Sequence, residues 1–414
     1  MPELPLHLPP GFAEIEFRQL LRDAVGLGAS DLTIQSGDTI WGEIRRRHTP
    51  LIDRRLEATE VERVMRFVYG GGTAVTQIAG GEAPDFEYEI PAAEDDFKNV
   101  VRFRVNATGS RVGGLSSGIS VTMRSIPGVP PTWDSLGVPH DIADNFFPQY
   151  GLVLIIGTTG SGKSTLLAAG NRRRLENADR PVKIITYEDP IEFVYTGLAQ
   201  GRMPQPSQVQ IGRHLKSFGD AGPNAMRRKA DVIIMGESRD RESVSACFEM
   251  ALTGHAVYST LHADTPAEVF ARMVSFFPEG SQPEAANKLL SVLKTIVAQK
   301  LERGTDGKVY ALRSWLVLDR EITRVLGAHP FREWGHLVEE CLAQRGTSFE
   351  AQTLPLVAGG QLEFESFRRL TNLTALEAAR SLIAHDLRAK VPDTVLHDYA
   401  DQLEQRDVAQ GVLA

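Results

Sequence analysis

The 414-residue chain contains two cysteines, Cys247 and Cys341. That excludes a disulfide framework and a four-cysteine zinc module, and it suits a reducing cytoplasm. No apolar run approaches the ~18 residues that mark a membrane span. Any membrane role is therefore expected to be peripheral. The N-terminus, Met1-Pro-Glu-Leu-Pro5, lacks the basic-then-apolar order of a secretory signal. Internal repeats and low-complexity tracts are missing too. Positive charge is in short supply, since 45 Lys and Arg face 53 Asp and Glu for a net charge of −8. No stable nucleic-acid binding is expected from that balance, although a local basic patch could hide within it. What is there is an ordinary soluble composition, 42% hydrophobic and 24% charged, with length for two or three domains.

One stretch organises the rest. Gly157-Thr-Thr-Gly-Ser-Gly-Lys-Ser164 reads G-x-x-x-x-G-K-S, a phosphate-binding loop. It follows the apolar run Leu152–Ile156 and precedes the helix-like run Thr165–Ala169, as a strand–loop–helix unit requires. Gly157, Gly160 and Gly162 permit the close approach of backbone N–H groups, including those of Thr158, Thr159, Ser161 and Thr165, to a polyphosphate. Lys163 would reach the β- and γ-phosphates and the Ser164 hydroxyl would ligand Mg²⁺. A merely decorative Gly-rich turn would not need those flanks, so the chain is expected to bind ATP with Mg²⁺.

Upstream, Glu14–Val25 and Ala58–Tyr69 have helical apolar spacing. Asp31–Gln35, Thr39–Ile44, Asp85–Ile90, Asn99–Val105 and Gly118–Arg124 alternate as strands do. These make an α+β domain, 1–127. Arg102, Arg104, Arg111 and Arg124 cluster in its last strands. They are either solvent-facing strand positions or guanidinium contacts to nucleotide phosphates. Pro127-Gly-Val-Pro-Pro131, with Pro139 and Pro148, resists regular structure, so 128–149 reads as an inter-domain linker and hinge.

From Tyr150 strands and helices alternate, the mark of a parallel sheet, and 150–325 reads as one α/β domain. Leu152–Ile156 ends in the phosphate loop, Val182–Tyr187 in Glu188-Asp189, Asp231–Met235 in Gly236-Glu237, and Ala256–Thr260 at Leu261-His262. Ligands of open α/β sheets bind outside the carboxyl ends of the strands. Glu237 has the place of a Walker B carboxylate that activates water and holds Mg²⁺ through another water. Glu188 and Asp189 would position water or metal, or only close the turn at Pro190. His262 would contact or sense the γ-phosphate. His255, at a helix end, has no zinc spacing with it. Beyond residue 326 helical patterns continue, at Phe331–Ala343 and Ala375–Leu387, and the last ~25 residues are polar enough to fray.

Four stretches together carry a family resemblance. Gly157–Ser164, Ile185–Glu192, Asp231–Asp240 and Leu252–His262 resemble the Walker A, Asp, Walker B and His boxes of bacterial type II/type IV secretion ATPases, in the order of the PilT-like branch. Gly28–Leu32, Arg102–Asn106, Ser125–Pro127 and Ala298–Leu301 are similar as well. The resemblance implies a PAS-like N-terminal domain, an α/β RecA-like P-loop motor and a helical C-terminal part. It also implies a homohexamer, phosphate contacts from Arg102, Arg104, Arg111 and Arg124, and cytoplasmic action at the inner membrane with components of a secretion apparatus. Ser238 stands where many relatives have isoleucine. The pilus-retraction motif expected after the motor is replaced by Leu316–Ile322. A PilT-like core with a divergent C-terminal part is most similar to the DotB/TraJ group, ATPases of type IVB secretion and plasmid conjugation. The alternatives are a pilus-retraction-like ATPase, a RecA-like DNA translocase, which should carry basic, aromatic-interleaved loops, and a regulatory ATP-binding module.

Overall fold

The computed structural model describes residues 3–44, 47–93, 100–112, 117–126, 128–177, 179–195, 197–199 and 203–400. Its contacts divide the chain into two compact units, Met1–Pro130 with Glu192–Val194, and Pro131–Ile191 with Tyr195–Ala414.

The first unit is α+β. Its strands are β1 (Ala29–Gln35), β2 (Ile40–Ile44), β3 (Arg47–Pro50), β4 (Asp85–Pro91), β5 (Val100–Ser110) and β6 (Gly118–Ile126). Among the described residues they form one antiparallel sheet in the order β3-β2-β1-β6-β5-β4. Alternation sets the faces: Phe103, Val105 and Ala107 of β5 are buried while Arg104, Asn106 and Thr108 are exposed. Asn99, expected to begin this strand, lies outside the described residues. The helices are α1 (Glu14–Gly26), α2 (Ala58–Tyr69) and α3 (Thr73–Ala79). Helix α2 buries Val61, Val64, Met65 and Val68, an i, i+3, i+4, i+7 stripe worth roughly 1.5–3 kcal/mol per side chain. The buried Glu60 carboxylate ties its start to the chain ahead, accepting from Gly11 N at 3.2 Å, Glu57 N at 3.0 Å and both Arg54 NH groups at 2.8 and 2.9 Å.

The second unit holds a seven-stranded sheet among the described residues. Its strands are β7 (Gly151–Ile156), β8 (Ile184–Glu188), β9 (Ser207–Gln210), β10 (Val232–Met235), β11 (Ala256–Leu261), β12 (Leu293–Arg303) and β13 (Val309–Val317), in the order β13-β12-β7-β11-β10-β8-β9. Every neighbouring pair is parallel except β12 with β13. Strands β7 and β11 are buried throughout, as central strands covered on both faces must be. Crossovers run through α5 (Lys163–Glu176), α6 (Ala221–Arg227), α7 (Arg241–Leu252), α8 (Glu268–Ser275) and α9 (Gln282–Val292), with α4 (His140–Asn145) ahead of them. Four strands are legible in sequence. Strand β12 hides because it begins at Leu293, directly after α9 ends at Val292, with no turn residue between them.

Two features of this unit differ from a sequence-only picture. The proline-rich stretch is not an open connection from Pro131 onward. Trp133, Ile142 and Phe146 are buried, and the rings of Trp133, Phe146 and Phe147 pack at 4.9–5.3 Å. Prolines here set the entry to α4, where Pro139 is the residue before the first turn. Pro127 lies outside the described residues. The C-terminal helices α10 (Arg320–Gly327), α11 (Trp334–Arg345), α12 (Phe349–Ala358), α13 (Phe364–Thr371) and α14 (Ala375–Ala384) share the second unit's core through Ile322, Leu326, Trp334, Val338, Phe349 and Phe367. Their apolar faces are spent inward. Residues 401–414, most of the stretch expected to fray, lie outside the described residues.

Candidate nucleotide-binding site

Strand register builds the site. Ile156 of β7 lies beside Leu261 of β11 on one side and Ala298 of β12 on the other. The loop after Ile156 therefore emerges between His262 and Gln299. Strand β10 lies beside β11, and β8 beside β10, so Glu237 and Glu188 follow along the same carboxyl edge. The sheet brings together the phosphate loop, Glu188, Glu237 and His262, the four strand-end groups that the sequence singles out.

The loop has the backbone of a phosphate cradle. Gly157, Gly160 and Gly162 have φ of +148°, +77° and +83°, where side chains with a Cβ are strained. A Cβ on Gly157 would stand 2.4 Å from the Gln299 carbonyl, and one on Gly162 would stand 2.7 Å from Gln299 Nε2. Thr158, Thr159 and Gly160 are exposed, whereas Ser164 and Thr165 are half-buried at the start of α5. Lys163 is buried, and its Nζ donates to the carbonyls of Gly157 and Thr158 at 2.8 Å each. The Ser161 hydroxyl is buried and, among the described residues, lacks a hydrogen-bond partner, which is costly unless a ligand supplies one. Positive-φ glycines, a helix N-terminus and an orphaned hydroxyl fit a polyphosphate.

At the neighbouring strand ends, His262 Nε2 and Glu237 Oε1 are 3.4 Å apart. Glu237 is half-buried and its carboxylate faces the exposed His262 ring. Behind it, Ser238 N donates to Thr260 O at 2.8 Å and Thr260 Oγ1 donates to Gly236 O at 2.6 Å. These bonds lock the Walker B turn to β11. The buried Ser238 hydroxyl pairs with Ser259 Oγ at 2.8 Å and lies 3.7 Å from Cys247 Sγ. Serine is satisfied at this position because β11 presents a second hydroxyl. Burial pushes the Cys247 thiol up to about 11.

Glu188 Oε1 accepts from Thr186 Oγ1 at 2.6 Å and Gln208 Nε2 at 3.3 Å. Asp189 pairs instead with Arg239 at 3.2 Å. His255 belongs to the end of α7, with Nδ1 3.1 Å from Met250 O and 3.0 Å from Thr253 Oγ1. The arginines expected at the phosphates all lie in the first unit. Buried Arg102 pairs with Glu87 and Glu89, Arg104 with Asp85, and Arg124 with Asp31. Arg111 is exposed just past β5.

Two residues of the site escape a sequence reading. Gln299 and Arg313 are cross-strand partners in β12 and β13, both 3% exposed. Gln299 Nε2 donates to Ser161 O at 2.7 Å and its Oε1 accepts from Arg313 Nε at 2.9 Å. The available signal was weak, because β12 also carries Lys294, Thr295, Lys300, Glu302 and Arg303, and β13 carries Ser314 beside Arg313.

Residues 87–329 match the type II/IV secretion system protein family, more than half of the chain. The chain belongs to that family. Among curated relatives, a twitching motility protein of Neisseria gonorrhoeae is 35% identical over 223 residues, 54% of this chain and 55% of that protein. The match thus spans about half the length of that relative. Among solved structures, the ATPase DotB of Legionella pneumophila is similar at 35% identity and TM-score 0.77, covering 88% of this chain and 97% of that one. The pilus retraction motor PilT with bound ADP is similar at 27% identity and TM-score 0.73, covering 85% and 96%. The placement beside PilT and DotB expected from the four boxes is borne out, as is the motor fold.

Proposed function

We propose that this chain is an ATP-hydrolysing motor of a type IV secretion apparatus of the type IVB or conjugation kind. It would work as a homohexamer from the cytoplasm at the inner membrane. The observation that carries the reading is the single sheet edge that gathers the phosphate loop, Glu188 and the Glu237–His262 pair. The near full-length likeness to DotB supports the type IVB choice. The PilT likeness supports a pilus-retraction motor as the second reading. No helix among the described residues is long and apolar enough to cross a membrane.

Bound Mg²⁺–ATP supplies an electrophilic phosphorus and the metal's charge. The chain does the rest. Lys163 exchanges the Gly157 and Thr158 carbonyls for phosphate oxygens, and the Ser161 hydroxyl gains its missing partner. Ser164 would hold the metal and Glu237 would assist in holding it. The Glu237 carboxylate takes the proton from an attacking water, and His262 beside it orients that carboxylate. Glu188, fixed by Thr186 and Gln208, positions water at the adjacent strand end.

Phosphate release measured with Mg²⁺–ATP, in the presence and absence of single-stranded DNA, tests the reading. Turnover that requires Mg²⁺, ignores DNA and is lost in Lys163→Ala is expected. A rate that rises on DNA would favour a translocase. ATP binding without turnover would favour a regulatory module. Light scattering should show a ring, most stable with nucleotide; only monomer with and without an ATP analogue would refute the hexamer.

A further inference from the structure

Gln299 and Arg313 form a bridge whose two ends are far apart in sequence. At one end Gln299 Nε2 holds the Ser161 carbonyl, inside the phosphate loop. At the other, Arg313 donates through its terminal nitrogens to Gly137 O at 3.1 Å and Leu136 O at 3.0 Å. Those carbonyls belong to the segment that begins the second unit at Pro131. Gly137 has φ of +55°, so its carbonyl is turned by a conformation that glycine adopts freely.

The chemistry of the bridge is unusual for a structural arginine. Arg313 is buried, and its described partners are one amide and two backbone carbonyls, with no carboxylate. Burial pushes its guanidinium down to about 10. A buried cation held only by neutral acceptors is expensive to keep. Its Nε–H also polarises the Gln299 amide. Charge on Oε1 strengthens donation from Nε2 to Ser161, because linked hydrogen bonds reinforce one another.

The backbone of Gln299 acts on the same loop. Its carbonyl is the atom a Cβ at Gly157 would strike. Side chain and main chain of one residue thus set both ends of the glycine-rich turn.

We infer that Gln299 and Arg313 are positioning residues that fix the phosphate loop and couple it to the segment at 131–137. The inference rests on the nucleotide-binding reading above. Tightening of the loop around a polyphosphate is felt at Leu136–Gly137, and displacement of that segment is felt at Ser161. Neither residue touches the reacting atoms.

The test uses the full chain, amide hydrogen exchange and calorimetry with Mg²⁺–ADP as the probe. Gln299→Glu keeps a partner for Arg313 but turns an acceptor toward the Ser161 carbonyl. Without nucleotide, exchange in residues 157–165 should rise about tenfold, while β7 and β12 keep their protection. Mg²⁺–ADP should bind about tenfold more weakly. Arg313→Lys, which loses the fork but keeps the charge, should loosen 157–165 and 133–138 together. Should Gln299→Glu fail to fold, Arg313→Lys carries the test alone. Unchanged exchange at 157–165 in Gln299→Glu would overturn the inference. So would loss of protection spread evenly over β7, β12 and β13, or an Arg313→Lys effect confined to 133–138. A wild-type chain that binds no Mg²⁺–ADP would sink the proposed function instead, leaving the nucleotide-free exchange to decide the bridge.

Discussion

Gly170, in the middle of α5, is where a gain in helix propensity and a loss in packing oppose each other. Alanine there would gain about 1 kcal/mol of helix propensity. Its Cβ would, however, stand 2.6 Å from Phe146 Cε1, 3.3 Å from Phe146 Cδ1 and 3.3 Å from Trp133 Cζ3. Carbon contacts settle near 3.5–4.0 Å, so the ring must retreat by about 1 Å. It has nowhere to go, since Phe146 is 1% exposed. Its ring sits 4.9 Å from that of Trp133, 5.3 Å from Phe147 and 5.5 Å from Tyr258. Its carbonyl also accepts from the Tyr258 hydroxyl at 2.5 Å. Overpacking of this kind costs about 1–3 kcal/mol, and a ring blocked on three sides belongs at the upper end. The net loss should be about 1–2 kcal/mol, a fall in Tm of about 3–6 °C for a unit this large. Thermal unfolding followed by near-ultraviolet circular dichroism, which reads Trp133, measures it. Phe146→Leu should recover part of the loss in the Gly170→Ala background. A Tm that rises in Gly170→Ala would mean that the 131–148 segment is not held on α5, and the packing account would fall.

Two further predictions concern the first unit. Burial pushes the Glu60 carboxyl up, but the Arg54 bonds and the N–H groups of Glu57 and Gly11 outweigh it and bring it from 4.5 to about 2. A carboxyl depressed on folding stabilises above its unfolded value, so about 3 kcal/mol present at neutral pH should drain away as pH falls from about 4.5 toward 2. In Glu60→Gln, exchange protection of α2 should be lower at pH 7 and nearly flat with acid; an acid limb as steep as wild type would contradict the assignment. The Arg104–Asp85 pair is exposed on both sides, at 46% and 42%, and Arg104→Ala should cost under about 1 kcal/mol of stability. If Arg104 contacts phosphate as the family resemblance implies, turnover should nonetheless fall by about tenfold or more; an unchanged rate would remove it from the site.

The sheet edge was legible because its chemistry is written in contiguous residues. Each box joins a run of apolar residues to a polar end, and parallel register carries the ends to one place. Glu237 and His262 needed only adjacent strands to meet. The arginines were harder, since residue type alone cannot tell a phosphate contact from the partner of Asp85 or Asp31. Strand β12 escaped because no turn residue separates it from α9. Gln299 and Arg313 escaped because their meaning lies in cross-strand pairing, which local pattern does not encode. The proline-rich stretch was informative about its backbone and silent about Trp133 and Phe146, whose seat depends on Gly170, well downstream in α5.

A base in an ATP-hydrolysing site and a mere strand-end carboxylate at Glu237 give different results when the residue is changed. Glu237→Gln preserves size and leaves Lys163, the glycines and Ser164 in place. Mg²⁺–ATP binding by calorimetry and phosphate release on the same preparation separate holding from hydrolysing. Glu237→Gln should keep wild-type affinity for ATP while its turnover falls by about a hundredfold or more. Phosphate release by Glu237→Gln at the wild-type rate would contradict the role as base.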